Sequence, residues 1–126
     1  MAAGLTLDSG AFIAAEKGDR RFWALWKEAL HRGVIVTVPA AVVAQVWRGN
    51  SAVIARILQG CEVEALSEEH AKRIGRLLAV SRTTDVVDAS AVVGAAARRD
   101  AVVTSDRHDI DRLVSSLKQK IAIVAI

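Results

Sequence analysis

An alternating α/β domain, with a central parallel sheet carrying helices on both faces, is the fold class this sequence predicts, and three observations predict it. Short apolar runs rich in β-branched residues alternate with stretches of helical periodicity along the whole chain. Hydrophobic residues make up 52% of the 126 positions and the charges are dispersed instead of gathered in a tail, which suits one folded domain and argues against disorder. Acids recur where strand-like runs end, the edge of such a sheet at which sites form.

Residues 4–8 (GLTLD) read as the first strand. A helix follows over 9–17, and a second runs from Asp19, a suitable N-cap, to His31, with Phe22, Leu25, Trp26, Ala29 and Leu30 at helical spacing. Gly33 stops it. VIVTV at 34–38 is the second strand, and Pro39, the only proline, fits the first turn of a helix that carries Gln45, Trp47 and Arg48 and ends at Gly49. Ser51 caps and Gly60 closes the next helix, before a short third strand, VEAL, at 63–66. Ser67 caps a helix whose Ala71, Ile74, Leu77 and Leu78 share a face. Residues 84–99 form a buried Ala/Val-rich helix with Asp85 at its N-terminus and Asp88 in its first turn. AVVT at 101–104 is the fourth strand; TSDRHDID then leads into a helix containing Leu113, Val114 and Leu117, and IAIVAI at 121–126 is the last strand. There is no internal repeat, linker or low-complexity segment.

Composition excludes some classes and leaves others open. A net charge of +3 and a pI near 9.5 permit a polyanionic partner without demanding one. Cys61 is the only cysteine, so an intramolecular disulfide and a zinc knuckle are both excluded; with no signal-peptide pattern, the expected compartment is the cytoplasm. The longest apolar stretches are about ten residues, roughly half a membrane-spanning helix, and no membrane association is expected.

Asp8 and Asp106 follow strands and Asp88 opens a helix, so the three carboxylates could meet in one pocket. Like charges gathered in that way repel, and a divalent cation relieves them; hard oxygen donors favour magnesium or manganese. Each acid also has a plain structural reading. Asp8, Asp85 and Asp106 all precede helices and suit N-caps, and Asp88 is favoured by the helix dipole. Joint placement is what favours a metal site. Ser9, Thr104 and Ser105 either hydrogen-bond the ligating carboxylates or cap turns.

LDSGAFIA at the first strand, the PAAVVAQVWR helix, DVVDASAVVGAAA and VVTSDRHDI, in this order, resemble the PIN domains and, among them, the VapC-type ribonuclease toxins of VapBC toxin-antitoxin modules. The resemblance covers nearly the whole chain, residues 1–126. It implies a PIN-like α/β/α domain, Mg2+- or Mn2+-dependent RNA cleavage, a homodimer, and inhibition by a cognate VapB-type antitoxin. Carried across by position, the family's first and third acids and the acid of its TSD element are Asp8, Asp88 and Asp106, the expected metal ligands and catalytic residues. Asp109 matches a further acid, either holding a metal-bound water or capping the last helix. The family's second acid, commonly a glutamate, falls on Gln45. An amide oxygen can coordinate magnesium but carries no charge and cannot act as a general base, so one tightly held ion is expected, with a second arriving with the RNA phosphate. Glu62 and Glu64 lie in the wrong element to substitute.

His31, His70 and His108 fall on separate elements and read as surface or cap residues, with His108 the one placed to touch RNA. Trp23, Trp26 and Trp47 offer either stacking surfaces or core and interface anchors, at least one of them an interface. Arg20, Arg21, Arg48, Arg82, Arg98 and Arg99 are candidate phosphate contacts, Arg48 first because it lies close to Gln45. The alternative to a nuclease is a catalytically weakened PIN-like module that binds RNA or antitoxin. A phospho-acceptor receiver domain fits poorly: Leu66 and Ser67 stand where its aspartate belongs, and no lysine follows the last strand.

Overall fold

The computed structural model describes residues 4–126. Five strands among these residues form one all-parallel sheet: β1 (Leu5–Leu7), β2 (Val36–Pro39), β3 (Glu62–Glu64), β4 (Ala101–Thr104) and β5 (Ile123–Ala125), in the order β3-β2-β1-β4-β5. Seven helices connect them: α1 (Ser9–Glu16), α2 (Arg20–Arg32), α3 (Ala40–Val46), α4 (Ala52–Gln59), α5 (Glu68–Ser81), α6 (Val86–Arg98) and α7 (Arg107–Val114). The predicted α/β/α class is the one observed.

Alternation along the strands sends side chains to opposite faces and so builds two cores. On one face Leu7, Val36, Val38 and Val103 pack against Phe12 of α1, Phe22 and Trp26 of α2, Val42 of α3 and Ile57 of α4. On the other, Val102 packs beneath Ile74 and Leu77 of α5, Ala89, Val92 and Ala95 of α6, and Ile110 and Leu113 of α7. α6 is small-residue throughout its buried stripe because it lies close over the sheet; Ala89, Ala91, Val92 and Ala95 are fully enclosed.

Beneath α6 the sheet is not apolar. Arg98 reaches Thr6 Oγ1 at 2.8 Å, Asp100 Oδ2 at 3.0 Å and Glu64 Oε2 at 2.5 Å, and the Thr6 hydroxyl donates to Asp100 at 2.9 Å. His70 Nδ1 lies 3.8 Å from Glu64 Oε1. This network explains two sequence expectations that fail. Arg98 is not a surface phosphate contact, and His70, with a side chain 12% exposed, is neither a surface nor a cap residue.

Several boundaries also shift. Val34 donates its N–H to Ala29 O, closing α2 after the left-handed Gly33, so β2 begins at Val36. Pro39 ends that strand, opposite Glu64, and caps α3 from an extended conformation instead of entering its first turn. α3 stops at Val46 because Trp47 is extended, leaving Trp47 and Arg48 beyond the helix. β3 is set by its register with Thr37–Pro39 and occupies Glu62–Glu64, not 63–66. α7 ends before Leu117, and β5 is shorter than 121–126 because only its centre pairs with β4. No helix among the described residues is long and apolar enough to cross a membrane.

Candidate metal centre

The strand order reverses between β1 and β4, the position where a crevice opens beyond the carboxyl ends of a doubly wound sheet. Register fixes what meets there. Leu7 pairs with Val103, and the Asp8 N–H donates to Val103 O at 3.2 Å, so Asp8 and the Thr104–Asp106 turn leave the sheet side by side. Gly10 lets them close up: a Cβ there would overlap Ser105 Oγ and approach Asp8 Oδ1.

Asp8 is 2% exposed. It caps α1, accepting the Ala11 N–H at 3.0 Å, and is hydrogen-bonded by the Thr104 side chain and the Gly10 N–H. Burial pushes its carboxyl from 3.8 up to about 6; these hydrogen bonds oppose the rise, and the Asp106 charge adds a little. Thr104, fully buried at the end of β4, also accepts the Asp106 N–H at 2.9 Å. One hydroxyl therefore holds both ends of the pair. Asp106 caps α7 through the Asp109 N–H at 3.3 Å.

Asp88, in the first turn of α6, comes from the third direction. Burial pushes its carboxyl up to about 7, followed by repulsion from Asp85, Asp8, Asp109 and Asp106. Asp109 is raised too, first by the hydrogen bond it shares with Asp106 and then by that neighbour's charge. Five aspartates thus feel one another across a single crevice. The sequence identifies Asp85 only as a cap, which it is, accepting the Asp88 N–H at 2.9 Å; its charge on Asp88 needs the fold to show it.

Among the described residues, no three His, Cys, Asp or Glu side chains converge closely enough to hold a metal ion as they stand. The caps give the physical reason: Asp8, Asp85 and Asp106 each turn an oxygen back to a backbone N–H of the helix they start. The donor set nevertheless fits a hard cation. Asp8, Asp88, Asp106 and Asp109 present carboxylate oxygens, and among the described residues none of them is in an ion pair with a Lys, Arg or His.

The remaining candidates separate clearly. Gln45 lies beside this edge, its Oε1 accepting the Ser9 hydroxyl at 2.5 Å. Ser105 is exposed and packs against Gly10. Arg48 folds back on the end of α3, donating to Trp47 O at 2.8 Å and Ala44 O at 3.4 Å. His108 is exposed beside Asp109 and its charge lowers that carboxyl slightly. Trp26 stacks on Phe22 in the core and Trp23 donates its indole N–H to Ala15 O, which leaves Trp47, 44% exposed, as the tryptophan free for an interface. Cys61 packs against the first core, and burial pushes its thiol up to about 12.

A second group borders the acids. Arg82, Thr83, Thr84 and Arg112 line a cavity of about 320 Å3 together with Asp88 and Asp109. Arg82 is among the candidates the sequence offers; Arg112 is not, although it stands three residues after Asp109 at helical spacing, the signal that could have found it.

No protein-family model and no curated relative matches the sequence. Among solved structures, the fold is similar to that of a chain in VapBC2 from Rickettsia felis bound to a DNA fragment from their promoter, at 15% identity over 97% of this chain and 98% of that one, with a TM-score of 0.73. It is also similar to a chain of FitAB bound to an IR36 DNA fragment, at 14% identity over 96% and 94% of the two chains, with a TM-score of 0.64. At these identities the likeness is one of fold: a PIN-like α/β/α architecture whose sheet edge, in this chain, gathers Asp8, Asp88 and Asp106.

Proposed function

We propose that this chain is the toxin of a toxin-antitoxin module, a Mg2+- or Mn2+-dependent endoribonuclease. The observation that carries the reading is that Asp8 and Asp106 stand near enough to Asp88, at the β1–β4 switch point, to repel its charge, without a basic side chain paired to any of the three. Carboxylates that repel one another around a buried one, Asp8, cost stability unless they bind a positive group. Asp8, Asp88 and Asp106 would hold the ion, with Asp109 beside them. When bound, a divalent cation supplies activation of water and neutralisation of charge on the phosphoryl oxygens during phosphodiester hydrolysis.

The chain's own residues prepare that edge. Thr104 fixes Asp8 relative to Asp106. Ser9 engages the carbonyl oxygen of Gln45, so the Gln45 amide N–H groups remain to donate toward a phosphate oxygen. Gln45 then orients substrate and holds no charge. Support for a cognate antitoxin comes from the VapBC2 and FitAB assemblies that share the fold, and Trp47 and Val86, both exposed, suit contact with that antitoxin or with a second copy in a homodimer.

The test is cleavage of defined RNAs with Mg2+, with Mn2+ and with EDTA. Asp8→Asn, Asp88→Asn and Asp106→Asn should each abolish cation-dependent cleavage while circular dichroism shows an intact fold. Cleavage retained in all three refutes the assignment. Gln45 favours one other reading, a PIN-like binding module without catalysis: RNA or antitoxin binding with no EDTA-sensitive cleavage by the unaltered protein would establish it.

A further inference from the structure

We infer that the cavity between the end of α5 and α7 is a phosphate subsite, in which Arg82 and Arg112 hold an RNA phosphodiester that flanks the one cleaved. The inference rests on the nuclease reading and specifies how that site places its substrate.

Both signs of charge line the cavity. Asp85, Asp88 and Asp109 are its acids, and Arg82 and Arg112 supply its cations. Along α7, Asp109 and Arg112 lie one turn apart on the same side, so an acid and a cation follow each other outward from the crevice. Arg82 reaches the cavity from the C-cap of α5, where its backbone is left-handed at φ 56°. Thr83 and Thr84 line the same cavity, the Thr83 hydroxyl sharing a 2.8 Å hydrogen bond with Ser81 Oγ.

Both guanidinium groups are available. Among the described residues neither Arg82 nor Arg112 is in an ion pair, a state they share with Arg20, Arg48, Arg56, Arg76 and Arg99, although three aspartates share their cavity. Two free guanidinium groups with hydroxyls in the same cavity match the non-bridging oxygens of a phosphodiester. A polynucleotide is the ligand that uses both kinds of charge at once: one phosphate at the cation held by the acids, and a neighbour on the arginines. A lone carboxylate from a protein partner would engage the arginines but leave the acids unserved.

Arg82→Gln and Arg112→Gln shorten the side chains little and keep the backbone conformation while removing the charge. With a single-stranded RNA substrate, the double variant should raise KM about tenfold with a smaller change in kcat, and flatten the dependence of log affinity on log salt by about 0.7 for each phosphate that is no longer neutralised. A single methylphosphonate beside the scissile bond should weaken binding to the unaltered protein and leave binding to the double variant unchanged. Thermal midpoints within a degree or two of the parent confirm intact folding. An unaltered KM and salt slope in a double variant that still cleaves would overturn the subsite and leave the nuclease reading standing. Loss of polyglutamate binding without loss of RNA binding would instead make the cavity a protein-binding surface. If the parent binds RNA without cleaving it, the same comparison of affinities decides the subsite alone; if it binds no RNA, both readings fall.

Discussion

Gln45 is the residue on which the chemistry of this edge turns. Its side chain is exposed and its carbonyl oxygen is engaged by Ser9, so it contributes a neutral dipole beside an edge where Asp88 is already repelled by four other aspartates. Gln45→Glu would add a hard anionic oxygen at the same place. It should lower the Mg2+ concentration needed for half-maximal cleavage by about tenfold, since charge count among oxygen ligands tunes cation affinity over decades. Equal Mg2+ requirements in the two proteins would show that position 45 lies outside the cation's reach. Asp8, Asp88 and Asp106 are legible in the sequence because strand ends and helix starts are readable from pattern, and a parallel sheet brings them to one edge. What depends on distant partners is hidden there. His70 resembles a surface histidine because nothing local shows that Glu64, on another element, stands 3.8 Å away. Arg48 is close to Gln45 in sequence, but α3 ends before it and its guanidinium caps the freed carbonyls.

At the scale of elements, the helices are more legible than the strands. Asp19, Ser51 and Ser67 cap helices as expected, each accepting an N–H three residues on, because capping is local chemistry. Strand limits follow from register with neighbours, which is why β2, β3 and β5 are all shorter than their apolar runs or displaced from them. The packing of α6 on the sheet is least legible, since an Ala/Val-rich helix gives no sign of the charges beneath it. Gly94 is the point of closest approach: a Cβ there would overlap Glu64 Oε1 and meet Arg98 Nη2 at 3.0 Å. Gly94→Ala gains about 1 kcal/mol of helix propensity but crowds a buried ion pair at a cost of about 1–3 kcal/mol. Because Arg98 is held by Thr6 and Asp100 as well as by Glu64, the crowding should win and the midpoint of thermal unfolding should fall. A rise in that midpoint would show that Glu64 moves aside freely.

For the molecule as a whole, the acid crevice makes stability depend on pH and on divalent cations together. Asp8 and Asp88 are raised from 3.8 to about 6 and about 7, so the folded protein binds protons that the unfolded chain releases. The stability they confer is complete below about pH 4 and is lost as pH rises through about 6 and 7. For Asp8 the loss is on the order of 3 kcal/mol; the shift of half-buried Asp88 is discounted for solvent screening. Without divalent cations, the unfolding midpoint should therefore decline between about pH 4 and 7.5, and millimolar Mg2+ should raise it at about pH 7.5 while changing it little at about pH 4. A midpoint insensitive to both would mean that the carboxylates ionise without strain. The order of the strands carries a further consequence, for synthesis. Asp8 leaves the ribosome well ahead of Val103 and Thr104, its neighbours across the β1–β4 ladder, so a chain translated only as far as α6 has no assembled acid crevice. On the proposed nuclease reading, the nascent chain stays inert toward RNA until β4 and the turn that follows it are made.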